Sequence, residues 1–410
     1  MRRVVVTGLG MVAPTGNRVD DAWNAALAAQ SAVATITQFD ASSLPVQIAA
    51  EVRGFDPTSV MGAKESRQAS RFVQFAVGAV RQAIDDSGLE TQQDRDECGC
   101  IIGVGLGALG NIEEQSQCLA QHGPRRVSPL LLPYAIPNMA AGAASIWNGL
   151  RGPSFGIATA CASGSHAIGE GALHIAAGTA DVMVAGGAES ANSPLLVAAF
   201  ARMRALSTRN DTPATASRPF DLDRDGFVIG EGSAALVLEE YEHARRRGAR
   251  VYAELVGYGA TADAYHITTP PPEGGGIARA MAAALKQARM TPGDVDYINA
   301  HGTATQANDA AESAAIEMVF GEHARRVAIS STKGVTGHCL GAAGAIEAVY
   351  TVQAIVHGVV PPTANLKTAD PVCRLDYTPK EPRERSIRYA LSNSCGFGGQ
   401  NACLAFKRFD

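Results

Sequence analysis

The chain has 410 residues, 46% of them hydrophobic and 18% charged, with a formal net charge of −5. That length exceeds what one ordinary core organises, since single cores stop growing near about 250–300 residues, so two intimately packed halves are expected, and the apolar content excludes a disordered chain. The slight acidity, with no lysine- or arginine-rich tract, excludes the global electrostatic field of a nucleic-acid binder, so any acidic partner must be met by a local basic patch.

The N-terminus, MRRVVVTGLGMVAPTG, passes from two arginines into a short apolar run broken by glycines. It is too short for a signal-peptide core or a membrane span and predicts the first strand of a cytoplasmic protein with no membrane segment. The stretch from Phe72 to Gly88 has helical periodicity, and ECGCIIGVG reads as the next strand. Its Cys98 and Cys100 form a lone CxC with no second close pair, which argues against structural zinc. The eight cysteines, at 98, 100, 118, 161, 339, 373, 395 and 403, are dispersed, unlike the disulfide framework of a small secreted domain.

Next come the strand-like GIATA, an alanine- and glycine-rich helix opening at CASGSHAIGEG, and a strand, DVMVAGGAES. After GSAALVLEEYEHARRRGA the order starts again: strand VYAELVGYGATAD, helix GIARAMAAALKQAR, strand VDYINAHGT, helix DAAESAAIEMVFG, strand VAISSTKG, helix GAAGAIEAVYTVQAIVHG. RYALSNSCGFGGQNACLAFKRF closes the chain as two β-like runs around a glycine turn. Two βα series of similar order predict an internally duplicated α/β protein with largely parallel sheets, joined between residues 245 and 251. No linker or low-complexity tract separates the halves.

Four stretches carry candidate chemistry. Cys161 follows GIATA and precedes Ala162, Ser163 and Gly164, so it sits where a helix N-terminus would offer free N–H groups and a positive dipole end to a thiolate. The alternative is a buried, inert cysteine, which most free cysteines are. His301 lies at the C-terminal end of a predicted strand, where α/β sheets bind ligands, or else it caps a loop. Asp309 and Glu312 open the helix after it and read as structural support. Lys333 and His338 share a glycine-bearing loop, with Glu347 in reach as a counter-charge if Lys333 is buried rather than a surface lysine. In SNSCGFGGQN the glycines around Phe397 would let backbone N–H groups approach a bound carbonyl, a plain hairpin turn being the alternative. A cysteine with histidines is the minimum set for thiol acyl transfer.

Taken together, the ordered motifs VVVTGLGMVAPTGN, GLRGPSFGIATACASG, DVMVAGGAES, RALSTRND, SRPFDLDRDGFVIGEG, AYHITTPPPEGGG, NAHGTAT, STKGVTGHCLGAAG and SNSCGFGGQNACLAF resemble the β-ketoacyl-acyl-carrier-protein synthases, most of all the elongating type II group. The likeness runs over almost the whole chain. It implies the thiolase-like α/β fold, duplicated and five-layered (αβαβα), with a first half over 1–250 carrying the cysteine and a second over 251–410 carrying the histidines, in a homodimer.

Residue by residue, the resemblance implies Cys161 as the acylated nucleophile. His301 and His338 match the pair that assists loss of CO2 from a malonyl unit. Lys333 matches the lysine that orders them, with Glu347 its partner. The Cys161 and Phe397 N–H groups match an oxyanion hole, and the Phe397 ring matches the gate. Leu106 and Phe200 match acyl-pocket positions, and Thr268, Thr303 and Thr305 match contacts to a phosphopantetheine arm. Lys64, Arg67, Arg125, Arg126 and Arg204 match the basic residues that meet an acidic acyl carrier protein, although each reads equally as a solvated surface charge. No metal or redox cofactor is implied. Cys395 stands where the family commonly has phenylalanine, and with Gln400 and the prolines 270–272 it is a local departure near the gate. Two other readings are a noncatalytic partner that shapes chain length, against which the intact Cys, His, His, Lys set argues, and a Cys-His hydrolase. The hydrolase lacks an evident carboxylate or amide to orient a histidine toward water.

Overall fold

The structure is a computed structural model that describes residues 2–89, 96–190 and 192–410. Ten strands carry the fold: β1 (Val4–Val12), β2 (Cys98–Gly103), β3 (Ser154–Ile157), β4 (Val182–Glu189) and β5 (Gly232–Glu240), then β6 (Ala253–Ala262), β7 (Tyr297–Asn299), β8 (Ala328–Ser330), β9 (Tyr389–Gly396) and β10 (Gln400–Arg408). Their hydrogen-bonded order is β8-β7-β9-β10-β6-β1-β5-β4-β2-β3. The two sets of five therefore repeat one pattern. In each, the first strand pairs antiparallel with the fifth, the fifth antiparallel with the fourth, and the fourth, second and third are parallel. Among the described residues the sets pair with each other where Val5 and Val6 of β1 face Glu254 and Ala253 of β6.

The helices that complete the layers are α1 (Arg71–Ser87), α2 (Met139–Asn148), α3 (Ser163–Ala177), α4 (Pro194–Arg202), α5 (Gly275–Ala288), α6 (Gln306–Phe320) and α7 (Ala343–His357). α1 and α2 bury apolar residues such as Phe72 and Val80 against Cys100, Ile102, Val184 and Val237 on one outer face. α5 and α6 do the same on the other, against Ile298, Leu391 and Ala405. Between the two sets lie α3 and α7, packed with Met11, Leu236, Leu404 and Phe406 in the largest core cluster. The result is the duplicated five-layer thiolase-like arrangement that the sequence implied.

Because α7 is sandwiched, it is covered on every side: every residue from Ala343 to Ile355 is buried, Glu347 included, against the one-sided stripe of a surface helix. α3 and α7 both end at a glycine in the left-handed region, Gly178 at φ +78° and Gly358 at +64°, the usual helix stop. They cross so closely that a Cβ on Gly164 would lie 2.8 Å from the Ala345 nitrogen, which explains the small residues after Cys161. The cysteines form no disulfide among the described residues. No helix among the described residues is long and apolar enough to cross a membrane.

Candidate active site

Cys161 occupies a single turn of 3₁₀ helix, Ala160–Ala162, that runs directly into α3. Ala160 has φ +50°, a strained value for a residue with a side chain. The turn is held by Ser163, whose hydroxyl donates to the Ala160 carbonyl at 2.6 Å and accepts the Thr159 N–H at 2.9 Å. His166, one turn on, bonds Thr159 Oγ1 through Nδ1 at 2.8 Å and packs edge-on to Tyr258.

The Cys161 side chain opens into a cavity of about 400 Å³. The same cavity is lined by His301, His338 and Phe397, by Leu106 and Phe200, by Thr268, Thr303 and Thr305, and by Arg204. Residues far apart in the sequence thus converge on one space. Lys64, Arg67, Arg125 and Arg126 are exposed and do not line it. Cys395 does, and burial holds its thiol well above the ordinary value. Gln400 Oε1 is buried with no partner among the described residues, and nothing in the structure explains why a glutamine stands there.

His301 follows β7 by one residue. Its N–H and that of Gly302 donate to the two oxygens of Glu312, each at 2.8 Å, and Asn393 Nδ2 donates to the same carboxylate at 3.2 Å. Glu312 therefore fixes the backbone on which the imidazole hangs, even though burial pushes its carboxyl up. Asp309 accepts the Phe220 N–H at 2.8 Å and lies 3.6 Å from the buried Arg224 guanidinium. Both carboxylates thus bond to the backbone around the site.

His338 is pinned through its backbone: its N–H donates to Val228 O at 2.7 Å and its carbonyl accepts from Gly230 at 2.9 Å. Its ring meets His301 at 5.3 Å between centroids and 84°, and Phe227 at the same distance and angle. Lys333, only 1% exposed, donates through Nζ to His301 Nδ1 at 3.3 Å and to the His301 carbonyl at 2.5 Å, and pairs with Glu347. An ammonium has no lone pair, so Nδ1 must be the acceptor. The His301 proton is thereby placed on Nε2. Burial and the nearby Lys333 charge hold both imidazoles well below the usual histidine value, with the neighbouring ring adding to this at His301. Both are neutral at pH 7 and can serve as hydrogen-bond donors.

Burial also pushes the Cys161 thiol up, to about 12, against the pull of Lys333 and of the Phe397 N–H, which donates to the sulfur. A thiolate stabilised at a helix start was the sequence expectation. In this cavity the resting group is the thiol, because desolvation of the buried sulfur outweighs one amide and a lysine already paired to Glu347. Phe397 itself is 36% exposed, its ring 6.3 Å from that of Phe200, and the glycines after it take φ +82° and +71°.

Sequence reasoning missed Glu189, Phe227, Asp263 and His266. Phe227 carries His338. Asp263 accepts from Asn401 Nδ2 at 2.7 Å behind the glycine turn, and His266 Nδ1 accepts the N–H groups of Thr268 and Thr269, each at 3.2 Å. The available signal was position: Asp263 and His266 belong to a polar tract directly after a strand, where sites are built. The buried oxygens Glu347 Oε2, Asn299 Oδ1, Ser392 Oγ and Asn393 Oδ1 have no partner among the described residues. No group of three or more histidine, cysteine or acidic side chains among the described residues could hold a metal ion.

A duplicated αβαβα core with a thiol on a strained turn and two neutral imidazoles across from it places this molecule among the thiolase-like condensing enzymes, acyltransferases that build carbon–carbon bonds. Within that class the chain belongs to the β-ketoacyl synthase family, matching the family's N-terminal domain over residues 1–244 and its C-terminal domain over 252–367. It is 52% identical to the 3-oxoacyl-[acyl-carrier-protein] synthase 2 of Coxiella burnetii over 408 residues, 99% of either chain, and 50% identical to the protein of that name from Synechocystis sp., covering 100% of this chain and 98% of the relative. Among solved structures, a β-ketoacyl synthase from Burkholderia phymatum matches with TM-score 0.93 and 39% identity over the full length of both chains. A type II polyketide ketosynthase in complex with its acyl-carrier protein, AntDE:AntF, matches with TM-score 0.91 and 36% identity over the same extent.

Proposed function

We propose that this enzyme is a 3-oxoacyl-acyl-carrier-protein synthase that elongates fatty acyl or polyketide-type chains by two carbons. Cys161 attacks the thioester carbonyl of an acyl carrier, the sulfur–carbon bond to the carrier breaks, and the carrier leaves as its thiol with the Cys161 proton. That proton reaches the departing sulfur as the carbon–sulfur bond breaks, so the thiol need not ionise in advance. The Cys161 and Phe397 amides receive the oxyanion.

Malonyl carrier then binds with its thioester oxygen between His301 Nε2–H and His338. The bond to the carboxylate breaks, CO2 leaves, and the electron pair passes onto that oxygen as an enolate, which the two donors stabilise. The enolate carbon attacks the acyl-Cys161 carbonyl, and the sulfur departs and recovers a proton. No step calls for a metal or a redox cofactor. The observation that carries this reading is Lys333 donating to His301 Nδ1, which turns that ring into a donor toward the cavity. A hydrolase would instead want an acceptor there, to take a proton from water.

The rest of the reading follows from the surface. Thr268, Thr303 and Thr305 line the cavity and suit the amides of a phosphopantetheine arm. Arg204 at the mouth, with the exposed Lys64, Arg67, Arg125 and Arg126, suits an acidic carrier protein. Strand β3 is an exposed sheet edge carrying Phe155, with Ile146 74% exposed on the neighbouring α2, and unpaired apolar edges of this kind are covered by a partner. A homodimer of two-half subunits, 1–250 and 251–410, working in the cytoplasm fits these features.

Intact-protein mass spectrometry tests the reading. Incubation with acyl carrier protein should add one acyl group at Cys161, and malonyl carrier should discharge it as a β-ketoacyl product two carbons longer. Release of free acid without chain growth would overturn it.

A further inference from the structure

Glu189 ends β4 and is fully buried, yet among the described residues it has no ion-pair partner. Its carboxylate is held by backbone alone. Oε2 accepts the N–H groups of Gly105 at 2.8 Å, Leu106 at 3.1 Å and Gly341 at 3.1 Å, while Oε1 accepts those of Gly107 at 2.9 Å and Leu106 at 3.2 Å. A buried charge is tolerated only when its lone pairs are met in this way, and four amides meet these.

What the carboxylate joins gives it a role. The 105–107 segment follows β2 and carries Leu106 into the cavity, and Gly341 follows Leu340, a second cavity-lining residue. These segments come from opposite halves of the chain and touch at this point: a Cβ on Gly341 would sit 2.2 Å from the Gly105 nitrogen, and one on Gly105 would sit 2.6 Å from Glu189 Oε2. No side chain other than Glu189 bonds to both segments among the described residues. Leu106 is itself 41% exposed, so packing alone does not fix its place.

We infer that Glu189 is a positioning residue that sets the acyl-accepting wall of the cavity, Leu106 and Leu340, and thereby decides which fatty acyl lengths reach Cys161. This rests on the acyl-transfer reading above. A glutamine here keeps one acceptor oxygen but turns an NH2 group toward amides that also donate, and the wall must shift to relieve the clash of donors. An aspartate keeps the charge and retracts it by one methylene.

The experiment measures Cys161 acylation by intact mass across a ladder of acyl carrier chain lengths, in wild type, Glu189→Gln and Glu189→Asp, with thermal melts alongside. Both variants are expected to fold and to acylate roughly 10- to 100-fold more slowly at the wild-type optimum, the scale of a misplacement of about 1 Å. The preferred length should shift, because the wall and not the thiol has moved. An equal loss at every length, an unchanged profile in both variants, or failure of both to fold would each overturn the inference and leave Glu189 a fold anchor. If wild type itself shows no acylation of Cys161, it is the acyl-transfer reading that fails.

Discussion

Ala160 and Leu340 occupy the same step of two turns, one in each half, with φ of +50° and +47°. Each turn is a three-residue 3₁₀ segment, Ala160–Ala162 and Leu340–Ala342, that feeds a fifteen-residue helix ending at a left-handed glycine. The duplication has thus built the strained turn twice. In the first copy the middle residue is Cys161, whose amide makes no backbone hydrogen bond among the described residues and whose side chain enters the cavity. In the second it is Gly341, whose amide is taken by Glu189 and which has no room for a side chain. A shared backbone shape supplies the launch point for a helix, and chemistry appears only where the amide is left free and the side chain has space. The strain therefore belongs to the architecture, and the nucleophile uses it.

The sharpest way to break the comparison is to make the first turn resemble the second. Cys161→Gly should leave the melting temperature within a few degrees and reduce acylation and condensation to background. A glycine variant that still elongates would remove Cys161 from the mechanism.

Next in size is the buried pair that serves the second half. Lys333→Met strands Glu347, which burial already pushes up to about 7, and should cost about 3–5 kcal/mol in a denaturant titration. The double variant Lys333→Met/Glu347→Leu should regain most of that stability and stay inactive. Recovery of condensation by the double variant would contradict an orienting role for Lys333.

Converting the second turn toward the first is predicted to be milder. Gly341→Ala brings a methyl against the Gly105 nitrogen and Glu189, and should destabilise by about 1–3 kcal/mol. A neutral effect on the melt would show that this side of the comparison is set by something other than space.

The smallest effects concern pH. His301 and His338 lie well below 6.5, so protonation, which would remove their neutral donor state, occurs only in more acidic solution. Malonyl decarboxylation should hold its rate near pH 6, where an ordinary histidine would be only about a quarter neutral. Cys161 is displaced the other way, so its alkylation by iodoacetamide should rise about tenfold per pH unit through pH 9 without a plateau. A plateau near neutrality would mean that the helix start and Lys333 outweigh burial after all.

Much of this was legible in the sequence because it is local. Alternating apolar runs gave the order of strands and helices, and the repeat of that order gave the duplication. The cysteine before a run of small residues marked a tight helix start. The pairing of Lys333 with Glu347 was readable from the need of any buried lysine for a counter-charge. The charge state of Cys161 was not readable, because desolvation depends on what covers the sulfur from other parts of the chain. Glu189 was equally hidden: GGAES shows an acidic residue at a strand end, but nothing local shows that amides from 105–107 and 341 would close around it.

The sequence by itself determined the periodicity, the duplicated strand and helix order, and the identity of the groups available for acyl transfer. Those follow from short-range backbone preference and side-chain chemistry. Only the tertiary structure decided that His301, His338, Cys161 and Phe397 share one cavity of about 400 Å³, that Lys333 forces the His301 proton onto Nε2, and that one of two equal turns has its amide free. Each of these depends on contacts between residues far apart in the chain, where distance, burial and hydrogen-bond direction are set by how the two halves close on one another.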